Sequence, residues 1–568
     1  MKKLIRSISI ILVLMLSISV LSGCGKKEKD PQVTQSPTSL VTGTDEPKNV
    51  WEIDKSAFDL DWYIGLASYS WVWNSEECAV HKAHKENTGL NHITFHAPAS
   101  DSNEKLGAMI ATQTVPDLIT LVDQPGRGRE QISLITSSDL VYDLRELSEQ
   151  YAPDFFKRIP PSILNWHTYP DGNFYGYVSL IKAPEIVKEI NSNTNLSLIT
   201  RQDIMDQLGI KSEDFSTQDG MIEALKKVRN AKLQQNGIDI VPFLYSGAFT
   251  FDAIEWHAQY FGLTYEDKDG NYIMPLKNPK FLEMLKFTNR LYREELLTQE
   301  NIIMKMDAIK PYVGNGTVFM LFGNTALGQY GPQMTVLYED TGGKATYTAV
   351  EPVLSSDGSY PWQKTNTLKG YTHTFISKST KIPERVIRLF DYFNTPEVQL
   401  MDAYGIDGLH YEMVDGKVKY IDEIEEIRST HTTQTNAKYG FPDIMYFLRD
   451  GSYMDYYPLP TAPSQLMLED IKEAYRKYLY VADPLTLVGP VPGDPLTTTN
   501  AKIMLYFNNE LINMITADSE EACVQKYNEA MKKVEEMGYN NLEELFNQQF
   551  QEGKSKMGID MLYPENKR

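Results

Sequence analysis

The sequence predicts an α/β protein built in at least two lobes, and three observations carry that reading. Short apolar strands alternate with amphipathic helical stretches from about residue 58 onward. Roughly 520 residues follow the N-terminal segment, more than a single core accommodates. Only three cysteines occur in 568 residues, so stability has to come from apolar burial rather than cross-links.

The elements follow in order. Residues 62–69 read as an apolar-aromatic strand, 79–88 as a helix, 93–96 and 115–121 as further short strands. Strands alternating with helices imply a parallel sheet with crossover helices. Residues 278–297 place Phe281, Leu282, Leu285, Leu291 and Leu296 at helical spacing, with acidic-basic pairs between them. Residues 383–393 open with Pro and carry Val386, Ile387, Leu389, Phe390 and Phe393 on one broad face. Two more amphipathic helices are expected over 520–537 and 542–551. Asp267-Lys268-Asp269-Gly270-Asn271-Tyr272 has a partial likeness to a calcium loop. The position where such a loop ends in a bidentate Glu is Asn278, so the segment reads as a hairpin turn and no metal is assigned. No repeat of fixed period is visible.

The N-terminus sets the compartment. Lys2, Lys3 and Arg6 precede an apolar run over 8–20, and Leu21-Ser22-Gly23-Cys24 follows. A run of about 13 residues is too short to cross a ~30 Å hydrocarbon core. The Leu-Ser-Gly-Cys box resembles the lipobox of bacterial lipoproteins, which implies cleavage after residue 23 and acylation of Cys24. Residues 25–49, rich in Lys, Thr, Ser and Pro, cannot bury enough apolar surface to offset their ordering entropy and read as a flexible linker. The expected parts are thus a signal peptide over 1–23 and a linker over 24–50. The expected location is the extracellular face of the cell membrane, through the lipid.

Composition excludes several classes. The chain carries a net charge of −21, and about −24 once Lys2, Lys3 and Arg6 are removed. That balance argues against nucleic acid, whose phosphates need clustered Lys and Arg. Cys78 and Cys523 lie far apart, which excludes a disulfide scaffold and argues against a thiolate metal site. The sequence lacks GxSxG, GxxxxGK[ST] and HExxH. His81, His84 and Glu86 form HxxHxE on the expected helix, where a surface or capping role outweighs zinc. The chain's 76 carboxylates leave a glycosidase pair possible by counting alone. Its 34 Tyr, 22 Phe and 7 Trp supply both core and sugar-stacking material.

Several segments, in order, resemble extracellular solute-binding proteins of the maltose-binding-protein type, in particular the long Gram-positive lipoprotein branch. They are Asn87-Thr88-Gly89-Leu90 with Ile93-Thr94-Phe95, then QTVPDLITL at 113–121, YDLRELSEQYA at 142–152 and PDGNFYGY at 170–177. GTVFMLFGN at 316–324, GYTHTFISK at 370–378 and the stretch 383–413 complete the set, which spans roughly residues 58–550. The resemblance implies the two-lobe periplasmic-binding-protein-like fold (type II), with a ligand cleft between lobes joined by crossover hinge strands. It places lobe 1 at 51–176 plus 352–410, and lobe 2 at 177–351 plus 411–568 with a helical C-terminal part. It implies a monomeric receptor without cofactor, delivering a solute to ABC permease subunits. The ligand is expected to be an oligosaccharide. A cell-surface carbohydrate-active enzyme and a receptor for peptides or other polar solutes are the alternatives.

Candidate ligand residues follow from these positions. Trp71 and Trp73 sit in the loop after the first strand, where stacking on a sugar competes with plugging the lobe. Asp123 lies just past the PDLITL strand and suits a bidentate contact to hydroxyls, or is an exposed loop carboxylate. Phe249, Trp256 and His257 fall in the second lobe, with core packing favoured for Phe249. Asn324 follows FMLFG at a cleft loop. Trp362, Tyr371, His373 and His410 lie on the returning segments, and for the two histidines a structural role is favoured.

Overall fold

The computed structural model describes residues 49–67, 72–99, 103–124, 127–187, 196–247, 250–324, 330–351, 355–425, 438–441, 447–458, 460, 463–490 and 493–563. Cys24, the signal segment and the linker lie outside them, as do Trp71 and Phe249.

The chain first builds one sheet. Strand β1 (Phe58–Ile64) leads through helix α1 (Ala79–Thr88) to β2 (Leu90–His96), which pairs parallel with it. Helix α1 stops because Gly89 takes a left-handed φ of 80° and donates to Lys85 O; a Cβ there would sit 2.3 Å from the Ser56 carbonyl oxygen. Strand β3 (Leu118–Val122) pairs parallel on the other side of β1, and all five of its residues are buried, as expected of a central strand covered on both faces. Helices α2 (Arg129–Ser137) and α3 (Pro161–His167) then lead to the short strand β4 (Gly176–Val178).

After residue 178 the chain crosses to a second sheet. It comprises β5 (Leu196–Arg201), β6 (Val241–Tyr245), β7 (Val318–Asn324) and β8 (Tyr347–Ala349), in the order β8-β5-β7-β6. Helix α4 (Phe251–Ala258) follows β6, and α5 (Pro279–Arg293) packs beneath, started by Asn278 accepting from Lys280 N with Pro279 at the first turn. Strand β9 (Gln363–Thr365) begins the return. Strand β10 (Thr372–Ile376) then inserts into the first sheet between β3 and β4, antiparallel to both. Both sheets are therefore mixed rather than parallel. In the first sheet the reason is that β10 enters from the other lobe, opposite to β3; in the second, β5 runs antiparallel to both of its neighbours, β7 and β8.

The first lobe is completed by α6 (Pro383–Phe393), α7 (Pro396–Tyr404) and a hairpin of β11 (Tyr411–Val414) with β12 (Lys417–Tyr420). The chain then crosses a third time. Strand β13 (Leu479–Val481) pairs parallel with β9, and α8 (Pro495–Ile515), α9 (Glu520–Glu536) and α10 (Tyr539–Met557) pack on the second lobe. The expected lobe boundaries shift accordingly. The hairpin packs on Ala403, Tyr404 and Val80, and Phe447 and Leu448 enter the first lobe's core, so 411–424, Phe441 and 447–448 pack with lobe 1. Trp362 lies in the second lobe's core, so residues near 360 belong to lobe 2.

Buried polar groups are satisfied across strands. Trp62 Nε1 donates to Thr120 Oγ1 at 2.8 Å, Thr120 and Thr374 hydroxyls meet at 2.8 Å, and Thr374 Oγ1 donates to Phe447 O at 3.1 Å. In the second lobe the Lys554 ammonium donates to the buried Glu266 carboxylate and to the Gly270 and Asp560 carbonyls. Residues 267–272 form the expected turn, with Asp267 Oδ1 accepting from Asp269 N and Asn271 N. Cys78 and Cys523 are buried free thiols, and burial pushes the Cys523 thiol up to about 11. Among the described residues no helix is long and apolar enough to cross a membrane.

The crossing segments are tied together by one carboxylate. Asp483, fully buried, accepts from Thr367 N, Leu368 N, Lys369 N and Thr367 Oγ1 at 2.8–3.2 Å. Beside it Ser179 N donates to Thr372 O and Lys182 N to Thr367 O. Asp483→Ala strands three buried N–H donors at roughly 1–3 kcal/mol each, whereas Asp483→Asn keeps one acceptor oxygen. Urea denaturation should show a loss of about 3 kcal/mol or more for Ala and a clearly smaller loss for Asn. Equal losses would remove Asp483 from this role.

A polar cluster where the strands meet the crossovers

Strand geometry places one cluster at the carboxyl end of β3. Because β10 is antiparallel to β3, with Thr372 opposite Val122 and His373 opposite Leu121, the start of β10 lies beside the end of β3. Lys369, Tyr371 and His373 are thereby brought to Asp123, although about 250 residues separate them in sequence. Helix α3 ends at the same place with His167, and Tyr169 follows.

Within the cluster, Arg129 Nε donates to Asp123 Oδ1 at 2.7 Å, and Arg129 Nη2 reaches Asp123 O at 3.4 Å. Burial pushes the Asp123 carboxyl up, but His373, Arg129 and Lys369 outweigh it and hold it below the usual carboxylate range. His373 is 7% exposed, and burial, with Lys369 and Arg129 nearby, depresses its pKa despite Asp123. The imidazole is therefore neutral at neutral pH, and Arg129 together with Lys369 keeps Asp123 ionised. His167 Nε2 lies 2.6 Å from Leu368 O, so this nitrogen carries the proton; its ring meets the His373 ring edge-on at 5.4 Å. Burial raises the Tyr169 phenol, and the nearby Asp123 charge adds to it.

Two lysines on the crossing segments differ from their surroundings. Burial depresses both Lys182 and Lys369, and for Lys369 the Asp123 and Asp483 charges oppose that shift. Among the described residues neither ammonium forms a hydrogen bond or an ion pair of 4 Å or less.

The second lobe presents its own strand ends. Ser246 follows β6, donates its amide to Phe322 O, and its hydroxyl lies 3.3 Å from Tyr330 Oη. Gly323 adopts φ 132° there, where a Cβ would be 2.8 Å from Ser246 Cβ and 3.1 Å from His257 Nε2. Trp256 on α4 is 37% exposed, while its neighbour Glu255 is buried and paired with Lys364 at 2.7 Å.

The sequence candidates divide accordingly. Asp123 and Tyr371 lie at the junction, Trp256 is solvent-facing on the second lobe, and Asn324 closes β7 opposite Leu196, its side chain outside the described part. Three candidates are corrected. Trp73 is 5% exposed, donates Nε1 to Asn91 O at 3.1 Å and stacks on His81 at 4.3 Å, so it plugs the lobe. Trp362 is 2% exposed among Tyr360, Tyr480 and Tyr563. His410 is 3% exposed, accepts from Ile406 N through Nδ1 at 2.8 Å and packs on Phe441. His257 is buried between Tyr245 and Phe322, and His84 is fully buried against Tyr392. Arg129, Lys369, His167 and Tyr169 escaped the sequence reading. Arg129 carried a signal, a basic residue after Gly126-Arg127-Gly128 just past a strand; Lys369 carried none until the antiparallel return was known. Among the described residues no group of His, Cys, Asp and Glu is arranged to hold a metal.

Burial is the largest cause depressing His84, His167, His373 and His410, with His167 at about 3. An unfolded His titrates near 6.5, so below that pH the unfolded chain takes up protons that the fold refuses. Stability should fall as pH drops from about 6.5, by roughly 2 kcal/mol at pH 5 from His167 alone. Urea denaturation at pH 7 and pH 5 tests this, and His167→Gln should flatten the difference; stability unchanged between the two pH values would contradict it.

No family model matches the chain, and no curated protein does. Solved structures match along nearly its whole length. An HMO-binding, ABC-transporter-associated solute-binding protein from Bifidobacterium longum infantis aligns at TM-score 0.64 and 14% identity, covering 88% of this chain and 99% of that one. The S. pneumoniae ABC-transporter substrate-binding protein FusA, in complex with kestose, aligns at 0.59 and 15%, covering 88% and 100%. The alginate-binding protein AlgQ2 aligns at 0.58 and 16%, covering 89% and 100%. The chain has the two-lobe α/β fold of these solute-binding proteins.

Proposed function

We propose that the chain is a lipid-anchored extracellular receptor that captures an oligosaccharide between its lobes and delivers it to an ABC importer. The observation that carries this reading is the polar cluster around Asp123, set at the strand ends where three crossing segments join two lobes. A ligand there touches the first lobe and the connection to the second, so further contacts from the second lobe would couple binding to closure. Proteins of this fold with 14–16% identity are described as binding human milk oligosaccharide, kestose and alginate, which points to sugars as the ligand class. Asp123, with Arg129 on one oxygen, has a second oxygen for sugar hydroxyls, Trp256 offers a stacking face, and Tyr371 lines the crossover. Anchoring rests on the Leu21-Ser22-Gly23-Cys24 box, and the permease is the partner that the closed form would meet. The chain binds and does not turn over its ligand.

Isothermal titration against an oligosaccharide panel should give saturable one-to-one binding. Trp256→Ala should weaken it about tenfold, since an aromatic stack contributes roughly 0.5–1.5 kcal/mol beyond its buried area. Trp73→Ala and Trp362→Ala should act on stability instead, by about 3–5 kcal/mol. Tight binding of peptides with no response to any glycan would exclude the sugar reading, and release of cleaved products would exclude a receptor. Cys24→Ala should shift the protein from the membrane fraction to the medium.

A further inference from the structure

The cluster at the end of β3 has a charge pattern that a neutral sugar does not use. Each carboxylate there is already served: Asp123 by the Arg129 guanidinium, and Asp483 by three backbone amides and a hydroxyl. Asp171, near Tyr169, is taken up by Tyr175 Oη and by the Asn173 amide groups. The Lys369 ammonium, by contrast, is partly desolvated next to Arg129 and bonds to nothing among the described residues. His373 is nine-tenths buried, and none of its ring nitrogens meets a hydrogen-bond partner there. Lys182, on the crossing segment hydrogen-bonded to Thr367, repeats the pattern of a desolvated ammonium with no counter-ion. Lys556, close to His167, adds a further cation whose side chain donates to Trp166 O. A half-buried ammonium with no direct hydrogen bond or close ion pair, as at Lys369, is unfavourable by itself, and an external anion would complete it.

We infer that Lys369, with Arg129 and His373 beside it, forms an anion subsite, and that the captured oligosaccharide carries an acidic group, a carboxylate or sulfate. The inference rests on the receptor reading above and narrows its ligand. The Lys369 ammonium donates to the anionic oxygens, and the uncharged His373 ring supplies one further N–H. Asp123 stays bonded to Arg129, and its remaining oxygen accepts from a neighbouring hydroxyl. Charge-assisted hydrogen bonds of this kind favour the acidic ligand over its neutral counterpart by roughly 10- to 100-fold.

The test is titration calorimetry on the full soluble body with matched pairs: oligogalacturonides against their methyl esters, sialyllactose against lactose, and sulfated against unsulfated chondroitin disaccharides. At least one acidic member should bind roughly tenfold or more tightly than its neutral partner. Lys369→Gln should erase that preference without lowering the melting temperature, since only the Lys369 backbone bonds to Asp483, and Lys369→Arg should restore most of it. Neutral glycans binding as well as acidic ones, or a preference untouched by Lys369→Gln, would overturn the anion subsite and leave the glycan receptor standing. Failure of every glycan, charged or neutral, would remove both.

Discussion

The Asp483 carboxylate is the constraint on which the two-lobe arrangement depends. It belongs by sequence to the C-terminal part of the second lobe, yet the backbone that it binds, Thr367 to Lys369, is the segment returning to the first. Strand pairing continues on both sides: β9 runs with β13, Ala482 N donates to Thr365 O, and Ser179 and Lys182 bond to Thr372 and Thr367. A crossover has exposed backbone groups and few apolar neighbours, so it tends to be the loosest part of a fold. Wrapping it around a buried anion turns three otherwise idle amides into a binding nest and fixes where β10 enters the sheet. The placement of Lys369, Tyr371 and His373 follows from that entry point.

Local signals made most single elements legible. The helix at 79–88 and the one at 383–393 match the expected bounds, because Gly89 and Pro383 mark their ends chemically. The helix at 539–557 runs well past the expected 542–551: its interior Gln, Glu and Lys residues dilute the apolar period, and Gly558, at φ 67°, is what stops it. What periodicity cannot encode is direction. A strand reads the same parallel or antiparallel, so periodicity does not show the pairings that make the sheets mixed, β10 against β3 in the first and β5 against β7 in the second. For the same reason the sequence places 411–420 in the second lobe, whereas their hairpin packs back on α7 through Tyr411, Val418 and Tyr420.

The site was legible only where strand ends could be counted. Asp123 follows its strand directly, so its place at the end of β3 could be counted from the sequence. Aromatics and histidines were the weaker guide, since Trp73, Trp362 and His410 are large, partly polar side chains that a core can satisfy with one hydrogen bond or one ring contact. Trp73 shows how this works: its indole N–H finds Asn91 O and its ring finds His81, leaving nothing for a ligand. Lys369 is the converse case, an unremarkable lysine in sequence whose partial burial near Asp123 and Arg129, without a direct hydrogen bond among the described residues, exists only in the folded chain.

The location of these cations also bears on closure. A ligand shifts an open–closed equilibrium only by its difference in affinity for the two states. Lys182 and Lys369 sit on the crossing segments and Arg129 beside them on the first lobe, so contacts to them are available before the lobes close. On the proposed reading they would hold the ligand without favouring closure. On that reading, the differential contacts would come from the second lobe, where Trp256 is exposed and the strand ends near Ser246 and Gly323 lie. Recognition of charge and the signal of occupancy are thereby assigned to different residues, and a ligand that satisfies Lys369 but lacks a face for Trp256 would bind without closing the protein.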